Sequence, residues 1–140
     1  MCDKFTDEKY DIGINQEYIF LALMKTNNII LNNLKDDNKF STVDFHLPNT
    51  NIYIELKYRQ ISSDLYKYTL FDQQKINIWN KSDKLSNSII FLAFSFADKQ
   101  VLFIRYDKDL FDTFERRIMK QWGSTNYFIP LNKCCKLVVL

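Results

Sequence analysis

The sequence predicts an α/β fold, a three-layer α/β/α sandwich with a central mixed β-sheet. Several segments are rich in β-branched and aromatic residues, as strands are, and they are interspersed with segments whose apolar residues recur at helical spacing. The predicted order is α-β-β-α-β-β-α-β, which suits one sheet with helices on both faces. At 140 residues, with only two Gly and two Pro, the chain is expected to form one domain over residues 1–140 without a linker.

In the first half of the chain, each element follows from a local pattern. Apolar residues at most positions of 17–25 predict a helix, with Asn15 as its N-cap. The Asn- and Asp-rich run 27–39 is compatible with either a helix extension or a turn. Alternation predicts strands at 40–47 and 52–59, and 61–68 has no clear pattern.

In the second half, the patterns are longer and more apolar. Helical spacing of Leu70, Phe71, Gln74 and Ile78 predicts a helix over 70–81. The apolar run 88–96 predicts a strand buried on both faces, and 101–106 predicts its hairpin partner.

The remaining elements close the predicted order. An apolar stripe of Phe111, Phe114, Ile118 and Trp122 predicts an amphipathic helix over 109–122 that Gly123 ends. Strand-like segments at 127–131 and 136–140 complete the chain.

The first two predicted strands bring two carboxylates together. Pro48-Asn49-Thr50-Asn51 has the residues of a turn, so Leu47 is expected to pair with Ile52, and Asp44 then faces Glu55. Opposed side chains on one face of an antiparallel pair have Cβ atoms about 4.5–5.5 Å apart. Two carboxylates at that separation repel each other unless a cation lies between them, and oxygen ligands suit Mg²⁺ or Mn²⁺.

Alternation also assigns the two faces of this hairpin. Lys57, two residues beyond Glu55, is expected on the carboxylate face, as are His46 and Tyr53. The other face is expected to carry a continuous apolar surface made of Val43, Phe45, Leu47, Ile52, Ile54 and Leu56.

Asp44, followed on a second strand by Glu55-Leu56-Lys57, resembles the signature of the PD-(D/E)xK nucleases. Val43 stands where that family usually has Pro. The resemblance implies a restriction-endonuclease-like fold and a Mg²⁺-dependent DNA endonuclease, with Mn²⁺ as a substitute metal. It implies that Asp44, Glu55 and the Leu56 carbonyl hold the metal, and that Lys57 orients the attacking water and stabilises charge on the phosphate.

The same resemblance extends to supporting residues and partners. Glu17 matches an acidic residue that some members use for a second metal or its water, and Gln74 or Lys75 matches a polar residue that completes the site. Small members of the family look like Holliday-junction resolvases, which implies a homodimer acting on double-stranded or branched DNA.

Each of these residues also has an ordinary structural interpretation. Asp44 and Glu55 are alternatively hydrated residues on an open sheet face with Lys57 as a neutralising partner. Glu17 is alternatively a first-turn acid that favours the helix dipole, and 73–75 a hydrated helix face.

A set of basic residues is suited to contact a nucleic-acid backbone, although the net charge is only +2. Arg116 and Arg117 are alternatively part of a hydrated helix face. The candidate nucleic-acid-binding residues are Arg59, Lys67, Arg116, Arg117 and Lys120.

Other features narrow the functional classes. The sequence has no apolar segment long enough to span a membrane and a charged N-terminus, so an intracellular, non-secreted protein is expected. A single His and no Gly-rich loop argue against Ser-His or Cys-His catalysis and against a nucleotide-phosphate loop. Three alternatives stay open: an inactive nuclease fold that binds DNA or a partner, an RNA nuclease, and an unrelated α/β interaction protein.

Overall fold

The computed structural model describes residues 7–38, 40–119 and 123–137. Within these ranges the chain forms four α-helices and nine strands. The helices are α1 Asp7–Thr26, α2 Leu34–Asp37, α3 Gln73–Lys81 and α4 Lys108–Phe111. The strands are β1 Asn32–Asn33, β2 Phe45–His46, β3 Ile52–Arg59, β4 Tyr68–Asp72, β5 Ile89–Phe96, β6 Val101–Arg105, β7 Arg116–Met119, β8 Ser124–Pro130 and β9 Cys135–Lys136.

The strands form two sheets. The larger is mixed, with the order β1-β2-β3-β5-β6-β9, in which only the β3–β5 pair is parallel. The smaller is antiparallel, with the order β4-β8-β7. The predicted α/β class and mixed sheet are therefore confirmed, whereas the second sheet has no counterpart in the sequence prediction.

Two apolar clusters pack on opposite faces of the larger sheet, because alternate residues of β3 and β5 belong to different clusters. On one face, Phe20 and Met24 of α1 pack with Phe45, Ile54 and Ala93. On the other face, residues of α3, α4 and the smaller sheet pack together with the larger sheet. That second cluster includes Tyr53, Phe71, Ile76, Trp79, Ile90, Leu92, Phe94, Phe111, Tyr127 and Ile129.

The predicted β2–β3 hairpin has the expected register. Phe45 pairs with Ile54 and His46 with Tyr53, and the Leu47 N–H donates to the Ile52 carbonyl at 3.0 Å. Asn49 has φ 63°, the left-handed conformation that Asn tolerates in a turn. The strand predicted over 40–47 is nevertheless only two residues long in the structure.

The predicted apolar face of this hairpin is wrong at Val43. Val43 packs in the same cluster as Tyr53, on the opposite face from Phe45 and Ile54. The chain bends before β2, and the Ser41 hydroxyl donates to the Val43 carbonyl at 2.7 Å. The alternation that would have placed Val43 beside Phe45 therefore stops at Asp44.

Two helix predictions need correction. The helix predicted over 70–81 begins only at Gln73, because Leu70 and Phe71 lie in β4 and Asp72 caps α3 by accepting a hydrogen bond from the Gln74 N–H. Consequently Ile76 and Trp79 are the buried residues of α3.

The helix predicted over 109–122 does not continue past Phe111 in 109–119, the part of that range that the structure describes. Only α4 is helical, and β7 follows it as an edge strand paired with β8, with Gly123 (φ 62°) beside the connection between them. Pairing with β8 overrode the helical spacing of the aromatic residues, and Ile118 from the predicted apolar stripe is 71% exposed. Trp122 lies outside the described residues.

The remaining predictions differ mainly in their boundaries. The first helix begins at Asp7, so Asn15 lies inside it and is not its N-cap. The strands predicted at 88–96, 101–106 and 127–131 correspond to β5, β6 and β8. Of the predicted strand 136–140, Lys136 is in β9, and 138–140 lie outside the described residues. In the described ranges, we find no helix that is long and apolar enough to cross a membrane.

Candidate active site

The candidate site is a cleft of ≈ 140 Å³ at the edge of β3 that β2 leaves uncovered. The pairing of β2 with β3 reaches only Ile54, so the edge of β3 from Glu55 onward opens toward α1 on one side and α3 on the other. The cleft brings together most of the predicted catalytic and metal-binding residues. Its lining is Gly13, Gln16, Glu17, Lys35, Asp44, Glu55, Leu56, Lys57, Tyr58 and Lys75.

Asp44 is held in this cleft by three contacts. Its carbonyl accepts a hydrogen bond from the Leu34 N–H at 2.9 Å, and its Oδ2 accepts one from the Leu56 N–H at 2.8 Å. Its Oδ1 lies 3.0 Å from Lys35 Nζ. The carboxylate of Asp44 thus takes the place of a backbone partner for Leu56, which explains why the ladder ends here.

Asp44 lies one residue beyond the β2–β3 pairing, which ends at Phe45 with Ile54, and its side chain reaches Glu55 and the Leu56 N–H. Asp44 is 4% exposed and Glu55 is 2% exposed. The alternative interpretation, hydrated carboxylates on an open face, is therefore wrong.

The two oxygens of Glu55 have different surroundings. Oε2 lies 3.4 Å from Lys75 Nζ and 3.8 Å from Lys57 Nζ. Oε1 is buried and has no hydrogen-bond partner among the described residues. An ionised carboxylate with such an oxygen is unfavourable for the fold, and either a proton shared with the Asp44 carboxyl or a bound cation would offset that cost.

Burial is the main cause of the altered acidity of Glu55. Burial, and then the nearby Asp44 carboxylate, raise the pKa of Glu55 to about 8, although Lys57 and Lys75 act in the opposite direction. At neutral pH the Glu55 carboxyl therefore holds a proton for much of the time. A cation that binds both carboxylates would displace this proton.

Lys35 is the charged residue of the cleft that the sequence interpretation missed. It lies in α2, whose first turn is capped by the Asn33 side chain, and this short helix places Lys35 against Asp44. Burial lowers the pKa of Lys35, but Asp44, Glu55 and Glu17 raise it by more, so it is raised overall. In the sequence, Asn33 as an N-cap could have indicated the start of α2. An N-cap does not indicate which strand the helix packs beside, so it could not have placed Lys35 in the cleft.

Among the supporting residues, Glu17 and Lys75 lie in the cleft and Gln74 does not. Glu17 is in the middle of α1, so the first-turn interpretation is wrong, and burial followed by Asp44 raises its pKa. Gln74 is exposed and lines a separate cleft between α3 and β8. His46 is also outside the site, where its Nε2 is 2.7 Å from the Thr50 carbonyl oxygen and its ring stacks on Tyr53.

The predicted nucleic-acid-binding residues are scattered. The Arg59 guanidinium donates to Thr69 Oγ1 and the Leu70 carbonyl, which ties β3 to β4, and burial lowers its pKa. Lys67 is exposed in the loop before β4.

Arg116 and Arg117 lie on the edge strand β7, so the interpretation as a helix face is wrong for both. Their guanidinium groups lie over the rings of Tyr127 and Phe128, respectively. Lys120 lies outside the described residues.

The chemistry of the cleft suits a hard divalent cation. Two carboxylates offer oxygen ligands, and the unpartnered Glu55 Oε1 is available to accept one more interaction. Because a residue's N–H and C=O point to the same side of a strand, the Leu56 carbonyl faces the edge where Asp44 binds its N–H. In the described part of the chain, no three His, Cys, Asp or Glu side chains are grouped as a metal site, so any metal here would need backbone or water ligands as well.

Comparisons with protein-family models, curated proteins and solved structures find nothing that matches this chain.

Proposed function

We propose that this chain is a metal-dependent endonuclease that hydrolyses phosphodiester bonds in DNA, with a restriction-endonuclease-like fold of three layers. The observation that carries the proposal is the juxtaposition of Asp44, Glu55 and Lys57 in one cleft, with an unpartnered oxygen on a buried carboxylate. Two buried carboxylates close together cost the fold free energy that a bound cation would offset. The sequence signature and the donor atoms both favour Mg²⁺ as that cation.

Asp44, Glu55 and the Leu56 carbonyl would hold the metal. When bound, Mg²⁺ would lower the pKa of the attacking water and neutralise charge on the phosphate oxygens. In hydrolysis, the water oxygen forms a new bond to phosphorus while one P–O ester bond breaks, and the water's protons end on the products and solvent.

The lysines give the cleft a role beyond metal binding. Lys57, with its ammonium 3.8 Å from Glu55 Oε2, is placed to orient the attacking water and to stabilise negative charge that develops on the phosphate. Lys75 and Lys35 bring two further positive charges to the same cleft. Three ammonium groups around two carboxylates suit an anionic substrate whose charge must be balanced.

A catalytically inactive binding module is the second candidate, and one contact favours it. Lys35 already neutralises Asp44 through a 3.0 Å ion pair, so the carboxylate is partly satisfied without a metal. In that case the lysines would bind phosphate and no bond would be cleaved.

A substrate panel separates these candidates. We would incubate the protein with labelled four-way junction, flap, duplex and single-stranded DNA and with RNA, each in Mg²⁺, in Mn²⁺ and in EDTA. The proposal expects cleavage of DNA that requires the metal. Binding without cleavage in every condition would favour the inactive module, and cleavage of RNA alone would assign a ribonuclease.

The same substrate panel also tests whether the protein acts as a homodimer. A preference for the four-way junction, together with a dimer by light scattering, would support a resolvase-like homodimer.

A further inference from the structure

A second cleft, of ≈ 370 Å³, lies beside the candidate active site and shares Lys57 with it. Its volume is within the range of small-molecule binding sites. Besides Lys57, its lining includes Arg59, Tyr66, Tyr68 and Asn126. We infer that this cleft holds an unpaired nucleobase next to the phosphate that is cleaved.

Two tyrosines give the cleft the chemistry of base stacking. Tyr66 is 62% exposed and Tyr68 is 50% exposed, although both line the cleft. Large aromatic rings on a protein surface are stacking platforms for bases, since every base presents a π-face. A tyrosine also loses little conformational entropy when it is held in place.

The loop that carries Tyr66 is fixed at both ends. At its start, Asp98 accepts hydrogen bonds from the Ser63 N–H at 3.1 Å and the Ser63 hydroxyl at 2.6 Å. At its end, the Lys67 carbonyl accepts from the Leu131 N–H at 2.9 Å. The ring is therefore presented by an ordered loop, which reduces the entropy lost on binding.

The floor of the cleft has groups that can contact the edge of a base. Asn126 is buried, and its Nδ2 donates a hydrogen bond to Ser124 Oγ at 3.2 Å, which uses one of its two N–H donors. The Arg59 guanidinium is fixed to β4 by its bonds to Thr69 and Leu70. An amide and a guanidinium at fixed positions are the groups that hydrogen-bond base edges in other nucleic-acid complexes.

The occupant follows from the shared residue. This inference rests on the proposed function, which places the cleaved phosphate in the candidate active site. Because Lys57 lines both clefts, a base in the second cleft would lie next to that phosphate. A base paired within a regular duplex cannot enter a concave cleft, so the occupant is a base that is unpaired or extruded from its stack. The nuclease would then select DNA with a single-stranded or distorted segment beside the cut.

The test measures binding without cleavage. In EDTA, we would titrate the full chain into a single-stranded octamer whose one 2-aminopurine lies between two abasic sites, so that its fluorescence is high in the free DNA and falls when the base stacks on an aromatic ring. The parent should bind the octamer and quench it, and the double variant Tyr66→Ala, Tyr68→Ala should bind about ten-fold more weakly. Equal binding and quenching by parent and double variant would overturn the inference, as would no binding by the parent.

Two matched variants separate stacking from loss of structure. Tyr66→Phe with Tyr68→Phe keeps both rings and should bind within about two-fold of the parent. Tyr18→Ala removes an equally exposed tyrosine from α1, which does not line this cleft, and should change nothing. Weak binding by the Phe variant, or an equal loss in Tyr18→Ala, would contradict the stacking role.

The outcomes also distinguish this inference from the proposed function. Quenching by a parent protein that cleaves no substrate would support the base site and refute the nuclease. A different outcome is that the parent and the Tyr66→Ala, Tyr68→Ala variant cleave nicked and intact duplex equally well in the presence of metal. That result would support the nuclease and refute the base site. DNA and RNA octamers of the same base sequence would show which sugar the site accepts.

Discussion

Asp44 Oδ2 accepts a hydrogen bond of 2.8 Å from the Leu56 N–H across the β2–β3 pair. This one contact ends the backbone ladder and places the Asp44 carboxylate against Glu55 at an open sheet edge. The hydrogen bond is therefore both the reason that β2 is short and the reason that the two carboxylates share a cleft.

The raised pKa of Glu55 predicts how stability depends on pH. The unfolded carboxyl has a pKa of 4.5, and the folded one has a pKa of about 8. The folded state holds the Glu55 proton more tightly than the unfolded state does. The resulting stabilisation of the folded state is fully present below pH 4.5 and is lost as the pH rises through about 8.

Glu55→Gln removes this titration and keeps the shape of the side chain. We expect the variant to be more stable than the parent at pH 8, by a difference on the order of a few kcal/mol, and to show a flatter pH profile. Urea unfolding at pH 5 and at pH 8 measures both effects. The control is Glu115→Gln, which alters an exposed ion pair with Arg117; a parallel shift in that variant would refute the assignment to Glu55.

The Lys35–Asp44 ion pair predicts a competition with the metal. In Lys35→Met, the absence of the ammonium should lower the free energy of unfolding without metal by about 1 kcal/mol or less, because the lysine is partly exposed. Adding Mn²⁺ should then raise the melting temperature more in this variant than in the parent, since Asp44 Oδ1 is free to bind it. The exposed Lys25→Met serves as the control, and an equal response of all three proteins to Mn²⁺ would contradict a metal at Asp44.

A pair of substitutions tests the strand that replaced the predicted third helix. Phe114 is buried and Ile118 is 71% exposed, although a helix over 109–122 would bury both. Phe114→Ala should therefore lower the free energy of unfolding by about 3–5 kcal/mol, and Ile118→Asp by only about 1 kcal/mol, because Asp is disfavoured in a strand. Large losses in both variants would favour the helix over β7.

Sequence patterns predicted the parts of the site that depend on local pairing. The turn 48–51 and the alternation of β3 were enough to bring Asp44, Glu55 and Lys57 together, and they line one cleft in the structure. The register of a hairpin depends on residues that are close in the chain, so a single sequence is enough to predict it.

Other features depended on contacts between distant segments, which a single sequence does not encode visibly. Lys35 reaches Asp44 only because α2 packs beside β2, and Lys75 faces the cleft because α3 begins at Gln73 rather than at Leu70. Likewise, β7 forms because β8 pairs with it, although the spacing of Phe111, Phe114 and Ile118 is typical of a helix. These are cases in which tertiary pairing overrides local propensity.

The most direct test of the central claim is the single-turnover cleavage rate of Lys57→Met against the parent, in Mg²⁺, on the substrate that the panel prefers. Lys57 lies on the rim of the cleft and is partly exposed, so the variant should fold, and a thermal melt confirms this. We predict a rate lower by about 10²–10³-fold, with Lys25→Met unchanged. A folded Lys57→Met that cleaves at the parent's rate would contradict the assignment of this cleft as the active site.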